Sequence, residues 1–328
     1  MKHIKISTIF MMLITGLILN VNTSSAAKKT SGKDEYGNEW SYDKETKTLT
    51  FTGEGKVGAD FQMDGHAPEP DWFVWSDKAE KIVFTGNVTE VGDGTCFWFT
   101  KVKTVEFSEV LEKIGEISFM FCSDLENVKF PNSLRIIGNN SFEGCDKLEE
   151  VELNEGLETI GNDAFSSNGL KMLDVPLSVK KIGHGAFKSC KKLKEVKLSE
   201  KLESIGSGAF SYCPKLKKIT LPKKLKKIGT GAFSFSGIEK IVIPESVQVI
   251  HNDFDALLMP SEKGLFVGCK KLKKVIVKSK KLTKIAKRSF YKTNKKVKIY
   301  VPKKMKKKYK KLFRNKGKLS KKVKILTI

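Results

Sequence analysis

The sequence predicts a solenoid: a stack of coils of about 22–23 residues, each with a short parallel β-strand, a short second strand and a helical or 3-10 corner. Three observations predict it. The stretch 193–213, LKEVKLSEKLESIGSGAFSYC, returns as LEEVELNEGLETIGNDAFSSN at 148–168 and as LKKITLPKKLKKIGTGAFSFS at 216–236. The aliphatic residue of the I-G step falls at Val91, Ile114, Ile137, Ile160, Ile182, Ile205, Ile228, Ile250 and Ile285. The spacings are 23, 23, 23, 22, 23, 23 and 22, then 35. Within each unit, apolar residues alternate over a few positions and then fall on an A-F pair, so one coil carries strand and corner signals in fixed order.

The chain begins with Lys2 and Lys5, an apolar run over 9–19, and small residues ending Ser25-Ala26-Ala27. This is the pattern of a secretory signal peptide over 1–27, cleaved after Ala26 or Ala27. The run is short of the ~20 residues that span a bilayer, so no transmembrane anchor is expected. The next segment, 28–78, differs from the repeat. Runs 40–43 and 48–52 alternate like strands across a polar turn and predict a hairpin, part of an N-terminal β cap over the first open coil. Trp40, Trp72 and Trp75 are expected to be buried there; the alternative is a sugar-stacking platform.

Coils occupy 79–302. Val196 and Leu198 point inward from the first strand, and Leu202 and Ile205 form a second inward pair. Proline ends the strand in several copies (Pro131, Pro176, Pro222, Pro244, Pro302), since it cannot donate to a ladder. The glycine of the I-G step suits either a positive φ or close contact with the next coil. Phe210 of the A-F pair fills the core. The long spacing of 35 marks an insertion over 252–264, where the apolar Leu257, Leu258 and Met259 either tuck back or form a binding tip. Beyond it, Met305, Tyr309, Leu312 and Phe313 share one helix face over 303–314, and 323–325 returns to strand alternation. Residues 303–328 therefore read as a Lys-rich C-terminal cap.

The pattern L-x-x-V-x-L-P-x-S-[LV]-x-x-I-G-x-x-A-F-x-x-C resembles the BspA-like leucine-rich repeats of secreted and surface proteins. The resemblance covers about 79–302, and the leader W-S-Y-D…L-T-F-T-G is similar to segments that precede such repeats. It implies a leucine-rich repeat solenoid, adhesion to proteins of a host or neighbouring cell, and no catalysis. The chain departs from the pattern at the insertion, where His251 replaces glycine, and in its Lys-rich final repeats.

Side-chain chemistry agrees with a binding protein. Cys122, Cys145, Cys190, Cys213 and Cys269 each follow a phenylalanine by three residues, a single repeat slot that predicts free buried thiols rather than a disulfide framework. Cys96 is placed in the alanine slot. His66, His184 and His251 belong to no H-E-x-x-H motif, and His184 is expected to be solvated. Asp60, Asp64 and Asp71 lack the spacing of a calcium loop. No catalytic residue, cofactor or metal ligand is assigned, and a hydrolase is the least favoured reading.

Charge divides sharply. Residues 270–328 hold 27 Lys or Arg and no acid, so the total of +24 leaves −3 for the other 269 residues. An exported cation of this kind suits anionic cell-wall polymers or glycosaminoglycans. The leader disfavours a specific nucleic-acid role. Lys303, Lys304, Lys306, Lys307, Lys308, Lys310, Lys311 and Arg314 are the polyanion-binding candidates. On the repeat sheet, the outward positions supply the candidate protein-binding face: Glu106, Glu150, Glu152, Asp174, Glu195, Lys197, Lys218, Lys240 and Lys274. The expected protein is thus a secreted, monomeric, adhesin-like binder; the runner-up is a spacer within the cell envelope.

Overall fold

The structure, a computed structural model, describes residues 29–60, 69–251 and 264–328. The expected leader and the side chains Leu257, Leu258 and Met259 lie outside the described residues, as do His66 and Asp64.

Three strands open the fold: β1 (Ser31–Lys33), β2 (Glu39–Asp43) and β3 (Thr48–Val57). β1 and β3 flank β2 antiparallel, with Trp40 opposite Phe51 and Tyr42 opposite Leu49. The predicted hairpin is present, and its second strand runs on to Val57. β3 then pairs in parallel with β4 (Lys81–Val91), so the parallel ladder starts before the first I-G step. Trp40, Trp72 and Trp75 are buried, with Trp72 Nε1 donating to Thr95 O at 2.9 Å and Trp75 stacked on Tyr42 at 4.1 Å. Their faces are occupied by packing, which rules out the sugar-stacking alternative.

From β4 onward most coils present two short parallel strands, while the coils of Glu152 and Lys218 make only an isolated bridge in the first row. The first row includes Met172–Asp174 beside Glu195–Lys197; the second includes Lys181–Ile182 beside Ser204–Ile205. Alternation decides their sides: Val196 and Leu202 are buried, whereas Glu195 and Lys197 between and beside them are exposed. The ladder continues across the insertion, with Lys240–Ile243 paired to Lys274–Val277 and Val249–Ile250 to Lys284–Ile285.

The corner is not helical. Between the short 3-10 turn Asp71–Trp75 and that at Lys303–Met305, the described residues form turns there. Two left-handed residues in each coil bend the chain instead: Gly208 and Tyr212 in one copy, Asp163 and Ser167 in another. A helix requires right-handed φ at consecutive residues, which these positions break. The reward is a third ladder: Phe165 N donates to Ala186 O at 2.8 Å, Phe187 N to Ala209 O at 2.9 Å and Phe210 N to Ala232 O at 2.8 Å. Backbone groups are thereby satisfied between coils on every side.

Inside this corner runs a column of rings. Phe119, Phe142, Phe165, Phe187, Phe210 and Phe233 stack at centroid separations of 5.3, 5.4, 5.7, 5.6 and 6.0 Å with planes within 10°. Phe266 and Phe290 extend it, and Phe313 of the C-terminal helix α1 (Lys306–Asn315) closes on Phe290 at 5.5 Å. Tyr309 on the same helix face is fully buried; its hydroxyl donates to Ser279 O at 2.8 Å and accepts from Leu282 N. Ile325–Thr327 then adds a last parallel strand to Lys298–Val301.

The I-G glycine serves close approach alone. A Cβ on Gly206 would stand 2.4 Å from Gly183 O, and its φ is not left-handed; positive φ belongs to the second glycine, Gly208. Thiols also stack: Cys145 Sγ donates to Phe119 O, and Cys213 Sγ to Phe187 O, at 3.4 and 3.3 Å. All six cysteines are free and buried, and burial pushes Cys122 and Cys190 up to about 12. Cys96 corrects the sequence reading. Cys96 N donates to Ser118 O as Phe119 N does to Ser141 O, placing Cys96 in the phenylalanine slot and Thr95 in the alanine slot. Phe99 occupies the adjoining cysteine slot and is fully buried, so the exchange keeps large and small side chains paired.

Candidate functional site: the strand face and the lysine-rich end

Outward side chains of the first strand row form two columns, because equivalent residues of successive coils stand opposite one another in parallel register. Glu106 stands beside Lys129, Asp174 beside Lys197, Lys240 beside Lys274 and Lys274 beside Lys298. All the predicted face residues of the repeat are exposed except Lys274, which is half-buried. They lie along one row of strands, whose pairing breaks between Glu152 and Met172 and again between Lys197 and Lys218.

Electrostatics divides that surface in two. Up to Lys197, cross-coil ion pairs lace it together: Lys103 with Glu80 at 2.7 Å, Lys81 with Glu106 at 2.8 Å, and Lys197 with Asp174 at 2.8 Å. Lys171 and Lys192 both bind Glu149 and hold its carboxyl down at about 2. The acidic residues of the face are thus partly neutralised, since Glu106 and Asp174 have lysine partners. Among the described residues, Glu150, Glu152 and Glu195 have no ion pair. Among the described residues from Lys218 onward, the cross-coil ion pairs are Lys226 with Glu203 at 2.9 Å and Lys273 with Glu239 at 2.7 Å, and none involves Lys218, Lys240 or Lys274. Here a groove of about 810 Å³ runs along the sheet, lined by Lys218, Thr220, Pro222, Lys240, Val242 and Pro244 among others.

The helix α1 points its lysines outward. Lys303, Lys304, Lys306, Lys307, Lys308, Lys310 and Lys311 are exposed, while Arg314 is half-buried and donates to Lys321 O at 3.3 Å. A second cationic hollow of about 490 Å³ sits nearby, lined by Lys287, Arg288, Asn315, Lys316 and Lys318.

Sequence reading missed three features here. Lys298 and Tyr300 extend the outward columns past Lys274 and Ile276, and applying the same position rule one coil further finds them. Glu143 lies in the corner; burial pushes it up to about 7, against the pull of Asn140 Nδ2 at 2.6 Å. His184 is half-buried rather than solvated. It belongs to a side-chain ladder after the I-G step in which Asn162 N donates to Asn139 Oδ1, His184 N to Asn162 Oδ1 at 2.8 Å, and Ser207 N to His184 Nδ1 at 2.9 Å.

That ladder carries a pH expectation. Burial lowers the His184 pKa, so the unfolded chain binds a proton near pH 6.5 that the folded chain resists. The stability contribution is full above pH 6.5 and declines as pH falls from there through the lower folded value. His184→Asn keeps an acceptor for Ser207 N and removes the titration. Urea midpoints of the two proteins should diverge below pH 6.5, with the wild type losing more; parallel midpoints would count against the assignment.

No helix among the described residues is long and apolar enough to cross a membrane, and no group of three or more His, Cys, Asp or Glu among them is arranged to hold a metal. No protein of curated function matches the chain. Among solved structures it is similar to a leucine-rich repeat protein from Bacteroides ovatus, at 22% identity over 88% of this chain and 77% of that one, with a TM-score of 0.51. It is also similar to the leucine-rich repeat protein of T. pallidum, at 23% identity over 62% of this chain and 88% of that one, with a TM-score of 0.46. The first of these likenesses shows the fold. The BspA type leucine-rich repeat region is matched in six copies, over residues 69–194, 161–254 and 261–325. Those copies span well over half of the sequence and coincide with the stacked coils, and the chain belongs to the BspA-type leucine-rich repeat family.

Proposed function

We propose that this chain is an exported, non-catalytic, adhesin-like binding protein that works as a monomer at or near a cell surface. Its strand face engages proteins of a host or neighbouring cell, and its Lys-rich end holds anionic cell-wall polymers or glycosaminoglycans. The β1–β3 segment and helix α1 close the two ends of the leucine-rich repeat stack.

The observation that carries this reading is the separation of roles within each coil. Phe, Leu, Ile and Cys are consumed by the core, while the outward strand residues stay exposed or half-buried along the row. A solenoid offers such a face to partners. The leader-like sequence over 1–27 supports export, and the acid-free stretch 270–328 supports retention on polyanions.

The test uses the full chain and a variant with Lys303, Lys304, Lys306, Lys307, Lys308, Lys310 and Lys311 changed to Gln. Wild type should be retained on immobilised heparin and on purified cell wall, and be released as salt rises, because binding a polyanion releases its condensed counterions and added salt opposes that release. The variant should elute at clearly lower salt while still binding purified matrix proteins. Salt-insensitive retention, or equal elution of the two, overturns the role of the basic end.

A further inference from the structure

The strand face beyond Lys197 differs from the rest in a way that folding does not require. Lys218 stands beside Lys240, Lys240 beside Lys274 and Lys274 beside Lys298, four stacked cations in one column. Among the described residues none of the four has a carboxylate partner. Like charges directly opposite across a sheet destabilise it, and the earlier pairs of this column carry none: Thr104 stands beside Asn127 and Met172 beside Glu195. Two residues along each strand runs a second column: Val242, Ile276, Tyr300 and Leu326, all half-buried. Lys274 Nζ lies 4.6 Å from the Tyr300 ring centroid, joining the columns. The groove of about 810 Å³ begins this strip at Lys218 and Lys240.

We infer that the strip docks an acidic amphipathic α-helix of a partner protein, laid along the stack axis with its carboxylates on the lysine column and its apolar row on the Val242–Leu326 column. This inference rests on the proposed role of the strand face in protein binding and specifies its occupant. Charge complementarity selects an acidic partner, and the half-buried apolar column selects one that also has apolar side chains to bury. The pitch selects a helix. Coils rise ~4.8 Å, so four lysines span roughly 14 Å, and three helical turns of 5.4 Å span about 16 Å. Alternate residues of an extended peptide, about 6.7 Å apart, span roughly 20 Å over the same three steps and drift out of register. A lysine side chain absorbs the smaller mismatch.

The experiment measures fluorescence anisotropy of labelled synthetic peptides with the full chain. One probe is a helix-constrained peptide with Glu on one row and Leu on the adjacent row; the other alternates Glu and Val at equal charge. The helical probe should bind at least about tenfold more tightly, a gap of ~1.4 kcal/mol. The double substitution Lys240→Glu with Lys274→Glu should weaken it about tenfold or more. Lys191→Glu with Lys215→Glu, two exposed lysines outside both the strip and α1, should change it less than about twofold, with folding of both variants checked by circular dichroism.

Equal affinity for the alternating probe overturns the inference, as does an equal loss in the Lys191→Glu with Lys215→Glu variant. Displacement of the helical probe by a heparin oligosaccharide that is itself weakened by Lys240→Glu with Lys274→Glu assigns the strip to a polysaccharide and overturns it too. Purified matrix proteins that bind the full chain but are not displaced by the helical probe sink the helix while leaving the proposed function standing. Matrix proteins that do not bind at all sink both.

Discussion

Phe210→Ala is expected to remove about 4 kcal/mol of stability, near the upper range for deleting a buried ring. The ring is fully buried and stacked between Phe187 at 5.6 Å and Phe233 at 6.0 Å, with interplanar angles of 9° and 7°. Two losses therefore add. The side chain gives up its own burial, and both neighbours lose an aromatic partner, each pair contributing about 0.5–1.5 kcal/mol. The backbone on either side is fixed by Phe187 N donating to Ala209 O and Phe210 N to Ala232 O, so collapse into the cavity is resisted. Because each coil contacts chiefly its neighbours, the damage should also split unfolding into two transitions. Urea unfolding followed by tryptophan fluorescence and by far-ultraviolet circular dichroism tests both points, since the tryptophans all lie N-terminal to the defect. A single transition with less than about 1 kcal/mol lost would show that the ring column is not cooperative.

The second large effect separates two glycines of one coil. Gly206→Ala should cost about 3 kcal/mol, as overpacking against main chain does. A Cβ there would stand 2.4 Å from Gly183 O and 2.5 Å from its carbonyl carbon, and backbone cannot rotate aside as a side chain would. Relief requires the two coils to part, which strains the Lys181–Ile182 and Ser204–Ile205 pairing beside it. Gly208→Ala should cost only about 1–2 kcal/mol, the penalty of a left-handed conformation for an L-residue. Other coils already place Ile117, Asn140, Asp163 and Arg288 at that left-handed position. Thermal unfolding of the two variants should rank Gly206→Ala as the more damaging. The reverse order would mean that conformation, not spacing between coils, governs the I-G step.

These glycines also show which parts of the fold the sequence discloses. Period-two alternation put Val196 and Leu198 inward and the repeat pattern added Leu202 and Ile205, and all four are buried. The period itself supplied the stacking partners. The corner was less legible because left-handed φ is adopted there by residues as unlike as Ile117, Ser167, Tyr212 and Gly208, so composition carries little signal. An A-F pair followed by polar residues reads as helix until the inter-coil hydrogen bonds are seen. Cys96 was misplaced because Phe97 follows it as Phe follows Ala elsewhere; counting five residues on from Val91, as Phe119 stands from Ile114, gives the phenylalanine slot that the ladder shows. On the surface, the outward positions were legible one by one. Their pairing was not, because Lys197 with Asp174 and Lys218 beside Lys240 differ only in what the adjacent coil contributes.

The three ladders have a mechanical consequence. Their hydrogen bonds run along the stack axis, so a pull between the two ends of the chain loads them head-on, a few at a time, rather than in shear. Such a protein should come apart coil by coil under tension. Each coil of 22–23 residues would release about 75 Å of extended chain in exchange for ~4.8 Å of folded length. A molecule held at its lysine-loaded end and tugged through its opposite end would then behave as a shock absorber, lengthening in steps before either attachment is lost.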